Sequence, residues 1–148
     1  MNQPYNTFVT ISSQTGVTSE KLTIHQAAAS VVPTDKTYTT QLVKAIIQST
    51  TAGTVTIERS GTAPTTTAVT PTPVSPGGAA ARVTAFKASN VGSGTAISIA
   101  QTLAANVPLE IDLEHIHLIG LGSTNNVTIN IAISSGNVNT MLIHRENF

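Results

Sequence analysis

Residues Gly61–Gly78 read GTAPTTTAVTPTPVSPGG, with four prolines, three glycines, a run of threonines and no charge. Whether this stretch joins two domains or belongs to one decides how many cores the chain can have. At 148 residues, a single domain buries about 68–70% of the surface its unfolded chain would expose, enough for a core without staples. A division at 61–78 leaves pieces of roughly 60 and 70 residues, each marginal alone. The chain has no cysteine to brace either piece. Pro71, Pro73 and Pro76 hold the backbone extended and remove donors, so the segment cannot be a central strand. It reads as an ordered loop within one domain that runs along a sheet edge or projects from it, and as a partner contact rather than a hinge.

On both sides of the loop the apolar residues alternate with period two, and helical periodicity hardly occurs. Short strands are expected at Thr7–Ser12, Lys21–Ala27, Tyr38–Ser49 (with a bulge), Gly53–Arg59 and Arg82–Ala88. Further strands follow at Ala96–Gln101, Pro108–Leu113, Ile116–Leu121, Val127–Ser134 and Val138–His144. Thr51-Ala52-Gly53, Ser123–Asn126 and Ser135-Gly136-Asn137 carry hairpin chemistry. The one helical candidate is the alanine cluster Ala27–Ser30 before Val31-Val32-Pro33, too short to stand alone. Eight to ten short strands at regular spacing predict an all-β, single-domain antiparallel β-sandwich or jelly roll with a proline-rich loop. Residues 1–19 are expected to form an N-terminal arm and 20–148 the β-sandwich. Ile46, Val55, Ile57, Phe86, Ile97, Ile99, Ile111, Leu113, Ile129 and Ile131 are the expected core.

Composition narrows the function. Seven basic and seven acidic side chains cancel, and charged residues are 9% of the chain, against a usual figure of about 25%. Such a surface cannot follow a phosphate backbone, and it lacks the basic amphipathic face that holds a protein on an anionic membrane. Without long-range repulsion, association is unopposed. Twenty-five Thr and 13 Ser take the place of charges; β-branched Thr favours extended backbone, and its hydroxyl accepts water or a backbone partner. The N-terminus MNQPYNTFVT lacks a basic region followed by an apolar run, so no signal peptide is expected. No stretch reaches 18 apolar residues, so no membrane helix is expected.

Few groups point to chemistry. His115 and His117 stand at i and i+2 in Glu114-His115-Ile116-His117, the spacing that aims two ligands to one side of a strand, and His144 in the last strand could join them. HxH alone is common, so these also read as edge or interface histidines, and no metal or other cofactor is expected. Glu110, Asp112 and Glu114 alternate onto one face, either as a calcium site or charged seam or as a solvated row paired with Lys or Arg. Glycosidase carboxylates come with aromatic-lined clefts, and this chain has no Trp, two Tyr and three Phe. Gly92-Ser93-Gly94 and Gly120–Ser123 lack phosphate-loop spacing and read as turns. No GxSxG elbow supports a nucleophilic triad, so no catalytic residue is assigned. Asn126-Val127-Thr128 fits the glycosylation sequon, a frequent chance match in this composition.

Four stretches in order, Lys44–Arg59 (KAIIQSTTAGTVTIER), Thr70–Pro76 (TPTPVSP), Pro108–Ile119 (PLEIDLEHIHLI) and Val127–Ile133 (VTINIAI), resemble the small cement or decoration proteins of tailed-bacteriophage heads. There a strand–turn–strand pair is followed by a proline-marked loop and then by short Ala/Thr/Gly-rich strands. The resemblance covers most of residues 37–148 and leaves out 1–36. It implies a jelly-roll protomer, a homotrimer, and binding to the major capsid protein where capsomers meet, with no nucleic acid and no membrane as partner. It also implies a place on the virion's capsid surface after synthesis in the host cytoplasm. The uncharged arm and loop are the expected contacts, through Phe8, Val9, Ile11, Pro64, Val69, Pro71 and Pro73, by added backbone hydrogen bonds. A receptor- or carbohydrate-binding tip of a tail fibre is the alternative, disfavoured because sugar sites usually present aromatic faces.

Overall fold

The computed structural model describes residues 6–26, 39–60, 64–88, 94–119 and 126–146. In chain order its strands are β1 (Asn6–His25), β2 (Thr39–Ser49), β3 (Gly53–Ser60), β4 (Ala68–Val69), β5 (Thr72–Pro73) and β6 (Thr84–Phe86). They continue with β7 (Thr95–Ala96), β8 (Gln101–Leu103), β9 (Leu109–Asp112), β10 (His117–Ile119) and β11 (Asn126–Glu146). The described residues contain no helix, and every ladder between these strands is antiparallel. The helical candidate at 27–30, the Gly92-Ser93 and Gly120–Ser123 turns, and most of the 123–126 turn lie outside the described residues.

Two long strands organise the sheet. β1 and β11 pair from Asn6↔Glu146 to His25↔Asn126. Along the other edge of β11, β2 and β3 lie end to end, with Ser49 opposite Val138 and Gly53 opposite Ile133. All three lines bend at the same level. The clearest sign is that Ser12 Oγ donates to Glu20 Oε2 at 3.0 Å, although eight residues of straight strand span about 27 Å. The strand therefore turns back, and the two halves of one sheet face each other as the layers of a sandwich. Gln26, at the end of β1, closes the far side by donating from Nε2 to the Leu118 carbonyl at 3.3 Å and accepting from Thr40 Oγ1.

The sequence chemistry of the bend is specific. Between the pairs Gln14↔Val138 and Ser19↔Ala132, β1 advances five residues and β11 six. That extra residue is a bulge, and it inverts the facing of β11. Odd positions Val127, Ile129 and Ile131 point inward before it, and even positions Val138, Leu142 and His144 after it. Gly16 sits at φ 65°, where a side chain would be strained. At Gly53 a Cβ would stand 2.0 Å from the Ala132 carbonyl oxygen. Thr51-Ala52-Gly53 and Ser135-Gly136-Asn137 are thus not hairpins, as their composition had suggested, but corners at which strands pass from one layer to the other.

One layer holds β5, the first part of β1, the last part of β11 and β2, with β9 and β10 along the far edge of β2. The other holds β4, β6, the second part of β1, the first part of β11 and β3, with β7 and β8 beyond β3. Among the described residues one apolar cluster lies between them, with Leu22, Ile24, Val55, Ile57, Ile129 and Ile131 from one layer meeting Leu42, Ala45, Ile47 and Leu142 from the other. Chain on both sides of 61–78 belongs to this one sheet and one core. The described part of the loop runs along the edge of β1, with Thr72 opposite Val9, Pro73 opposite Phe8, and Val69 opposite Ala85 of β6.

Of the expected core, Val55, Ile57, Ile111, Leu113, Ile129 and Ile131 are buried. Four residues are corrected. The bulge expected in β2 lies where Lys44 pairs with Ile143 and Leu42 with His144; it turns Ala45 and Ile47 inward and leaves Ile46 half-buried outside. Val83, just before β6, and Ala85 within it take the inner face, so Phe86 lies half-buried opposite them, 6.4 Å from the His25 ring. Ile97 and Ile99 are 39% and 88% exposed, because the chain beyond the two residues of β7 follows the edge of β3 instead of covering a sheet.

Candidate functional surface and cleft

The expected arm is, from Asn6 onward, the first part of β1, hydrogen-bonded along its length to β11. Its side chains therefore divide by parity. Phe8 is fully buried and stacks on His144, with ring centroids 5.2 Å apart and planes 16° from parallel, so it cannot touch a partner. Val9 and Ile11 point outward. In the loop, Pro64 and Pro71 are buried, while Val69 and Pro73 are half-buried at the sheet edge.

Val9 and Ile11 belong to a larger surface. Ile11 pairs with Met141, Met141 with Ile46, and Ile46 with Glu110; one row away, Val9 pairs with Ile143 and Ile143 with Lys44. The outer face of this layer thus carries five apolar side chains from three adjacent strands, with Ile11 57% exposed. A shallow depression of about 280 Å³ runs over Ile11, Ile46 and Met141 and is bordered by Ser13, Gln48 and Asn139. The apolar surface ends at Lys44, whose Nζ pairs with Glu110 Oε1 at 3.2 Å. Glu110, Asp112 and Glu114 are all exposed. This is the solvated, lysine-paired row, and Glu114 lies past the end of β9, its N–H donating to Asp112 Oδ1 at 2.9 Å.

The three histidines do not converge. His144 is fully buried in the other direction, its Nε2 bonded to Glu146 Oε2 at 3.1 Å. Glu146 Oε1 in turn accepts the N–H groups of Arg82 and Val83 at 2.7 and 3.3 Å, tying the approach to β6 onto β11. Among the described residues no three His, Asp or Glu side chains are placed to hold a metal ion. Asn126 of the sequon is buried in the sheet and closed to modification in the folded chain.

His115, in the turn before β10, and His117, its first residue, are both exposed and both line a cleft of about 290 Å³ where the two layers part. β10 and the turn before it supply one wall, including Ile116 and Leu118. The other wall comes from β3, β11 and the edge segment, through Arg59, Asn126, Val127 and Ile97. Arg59 was not singled out from sequence. Its signal was readable: it continues the row Val55, Ile57 that faces the core, so an arginine stands where the pattern calls for an apolar residue. The outer apolar face also had a signal, since Ala45-Ile46-Ile47 and Met141-Leu142-Ile143 are apolar on both faces of their strands.

No family model, curated protein or solved structure matches this chain.

Proposed function

We propose that the protein is a structural virion component that binds the outside of a tailed-phage head between capsomers and stabilises it, as a homotrimer on the major capsid protein. The observation that supports this reading most is the outer face of Val9, Ile11, Ile46, Met141 and Ile143, an apolar sheet surface on a chain of nearly no charge. A monomer in water gains nothing from such a face, whereas a protein seated permanently on a neighbour buries it. A chain rich in Thr and Ala loses little side-chain entropy on contact, and a trimer on a repeating shell multiplies a weak single contact. Within the expected arm, Val9 and Ile11 act from inside the sheet, as part of β1. Catalysis forms no part of this reading.

Binding to undecorated heads tests it. Wild-type protein is expected to bind and to raise head survival on heating, and Ile11→Lys with Met141→Lys to lose both while remaining folded. If wild-type protein binds no head, the reading fails. The second reading, a receptor- or carbohydrate-binding tip, draws its support from the cleft beside Arg59.

A further inference from the structure

We propose that the cleft where the layers part is a binding site for a small monocarboxylate with an apolar body, a function independent of head binding. Arg59 is the starting point. It extends the inward row of β3, pairs in register with Val127, and is exposed at the cleft mouth. Among the described residues no carboxylate pairs with it: the neighbouring Glu58 accepts Gly94 N–H at 3.4 Å and Asn130 Nδ2 at 3.1 Å, and no described carboxylate lines the cleft. A guanidinium in this setting presents a planar fork of donors, the geometry that matches a carboxylate with two parallel hydrogen bonds. His115 and His117 on the opposite wall add ring nitrogens for a second polar group of the ligand.

The rest of the lining fixes the body of the ligand. Ile97, Ile116, Leu118 and Val127 supply apolar walls, and this gives the 39% exposed Ile97 a surface to contribute to. A volume of about 290 Å³ is at the lower end of ligand pockets, so it holds one small molecule or one chain terminus and not a polymer. Among the described lining residues Arg59 is the sole permanently charged side chain, which matches a monoanion and leaves a phosphate dianion under-compensated. The same charge opposes a metal cation between the two imidazoles.

Two matched pairs of probes test the site by calorimetry or ligand-observed NMR: N-acetyl-leucine against its neutral amide, and glucuronate against glucose. They separate a peptide-like or aliphatic acid from a sugar acid. N-acetyl-leucine is expected to bind at least tenfold more tightly than its amide, and more tightly than glucuronate or inorganic phosphate. Arg59→Gln is expected to remove at least tenfold of that affinity with an unchanged melting temperature, because the residue is exposed. The proposal is overturned if acid and amide bind alike, if Arg59→Gln binds as wild type does, if phosphate or glucuronate binds best, or if none of the probes binds.

Discussion

His144 donates from Nε2 to Glu146 Oε2 at 3.1 Å, two positions along one strand and both closed to solvent. The carboxylate also holds the Arg82 and Val83 N–H groups, so one side chain terminates three donors, one from β11 and two from the segment leading into β6. Glu146→Ala is expected to destabilise the fold by about 3–5 kcal/mol, the range for removing one partner from a buried polar set. Glu146→Gln keeps an oxygen in place and is expected to lose less than half as much. Urea unfolding of the three proteins checks the order.

The corners give a second contrast. At Gly53 a Cβ would collide with the Ala132 main chain at 2.0 Å, so Gly53→Ala must break the β3–β11 pairing there and is expected to lose more than about 2 kcal/mol. Gly16 has open space around it and only a left-handed φ, so Gly16→Ala is expected to lose about 1 kcal/mol. Thermal melts of the two variants should separate clearly.

These corners also explain what the sequence made legible. Alternation located Val55, Ile57, Ile111, Leu113, Ile129 and Ile131 correctly, because inward and outward facing is a local property of a strand. It could not show that Ser13–Glu20 carries β1 through a bend, since a polar stretch with a glycine fits a turn equally well. For the same reason Gly136 resembled a hairpin residue. Ile97 and Ile99 alternate like core residues, yet burial requires a covering layer, which only the tertiary arrangement supplies. In the cleft, the spacing of His115 and His117 marked them as a pair, while Arg59 required knowing which residues stand opposite β10.

Phe8 and Ile11 separate stability from association. Phe8→Ala removes a fully buried ring stacked on His144 and is expected to lose about 3–5 kcal/mol. Ile11→Ser, on the outer face, is expected to change stability by no more than about 0.5 kcal/mol while weakening head binding. Equal effects of the two on unfolding would contradict the parity assigned to β1.

Self-association is the fourth expectation. Wild-type protein at micromolar concentration should scatter light as a trimer, as the proposed assembly requires. A monomer under those conditions would refute the trimer.

The pairing of β1 with β11 imposes a schedule on synthesis. His25 and Asn126 are neighbours in the register, yet about a hundred residues are translated between them, which takes roughly 5–20 s at ribosomal speed. Through that interval β1 lacks its principal partner, and β2 and β3, which both lie along β11, lack theirs. The nascent chain therefore leaves the ribosome with its longest strands open-edged, and with almost no charge to keep neighbouring nascent chains apart.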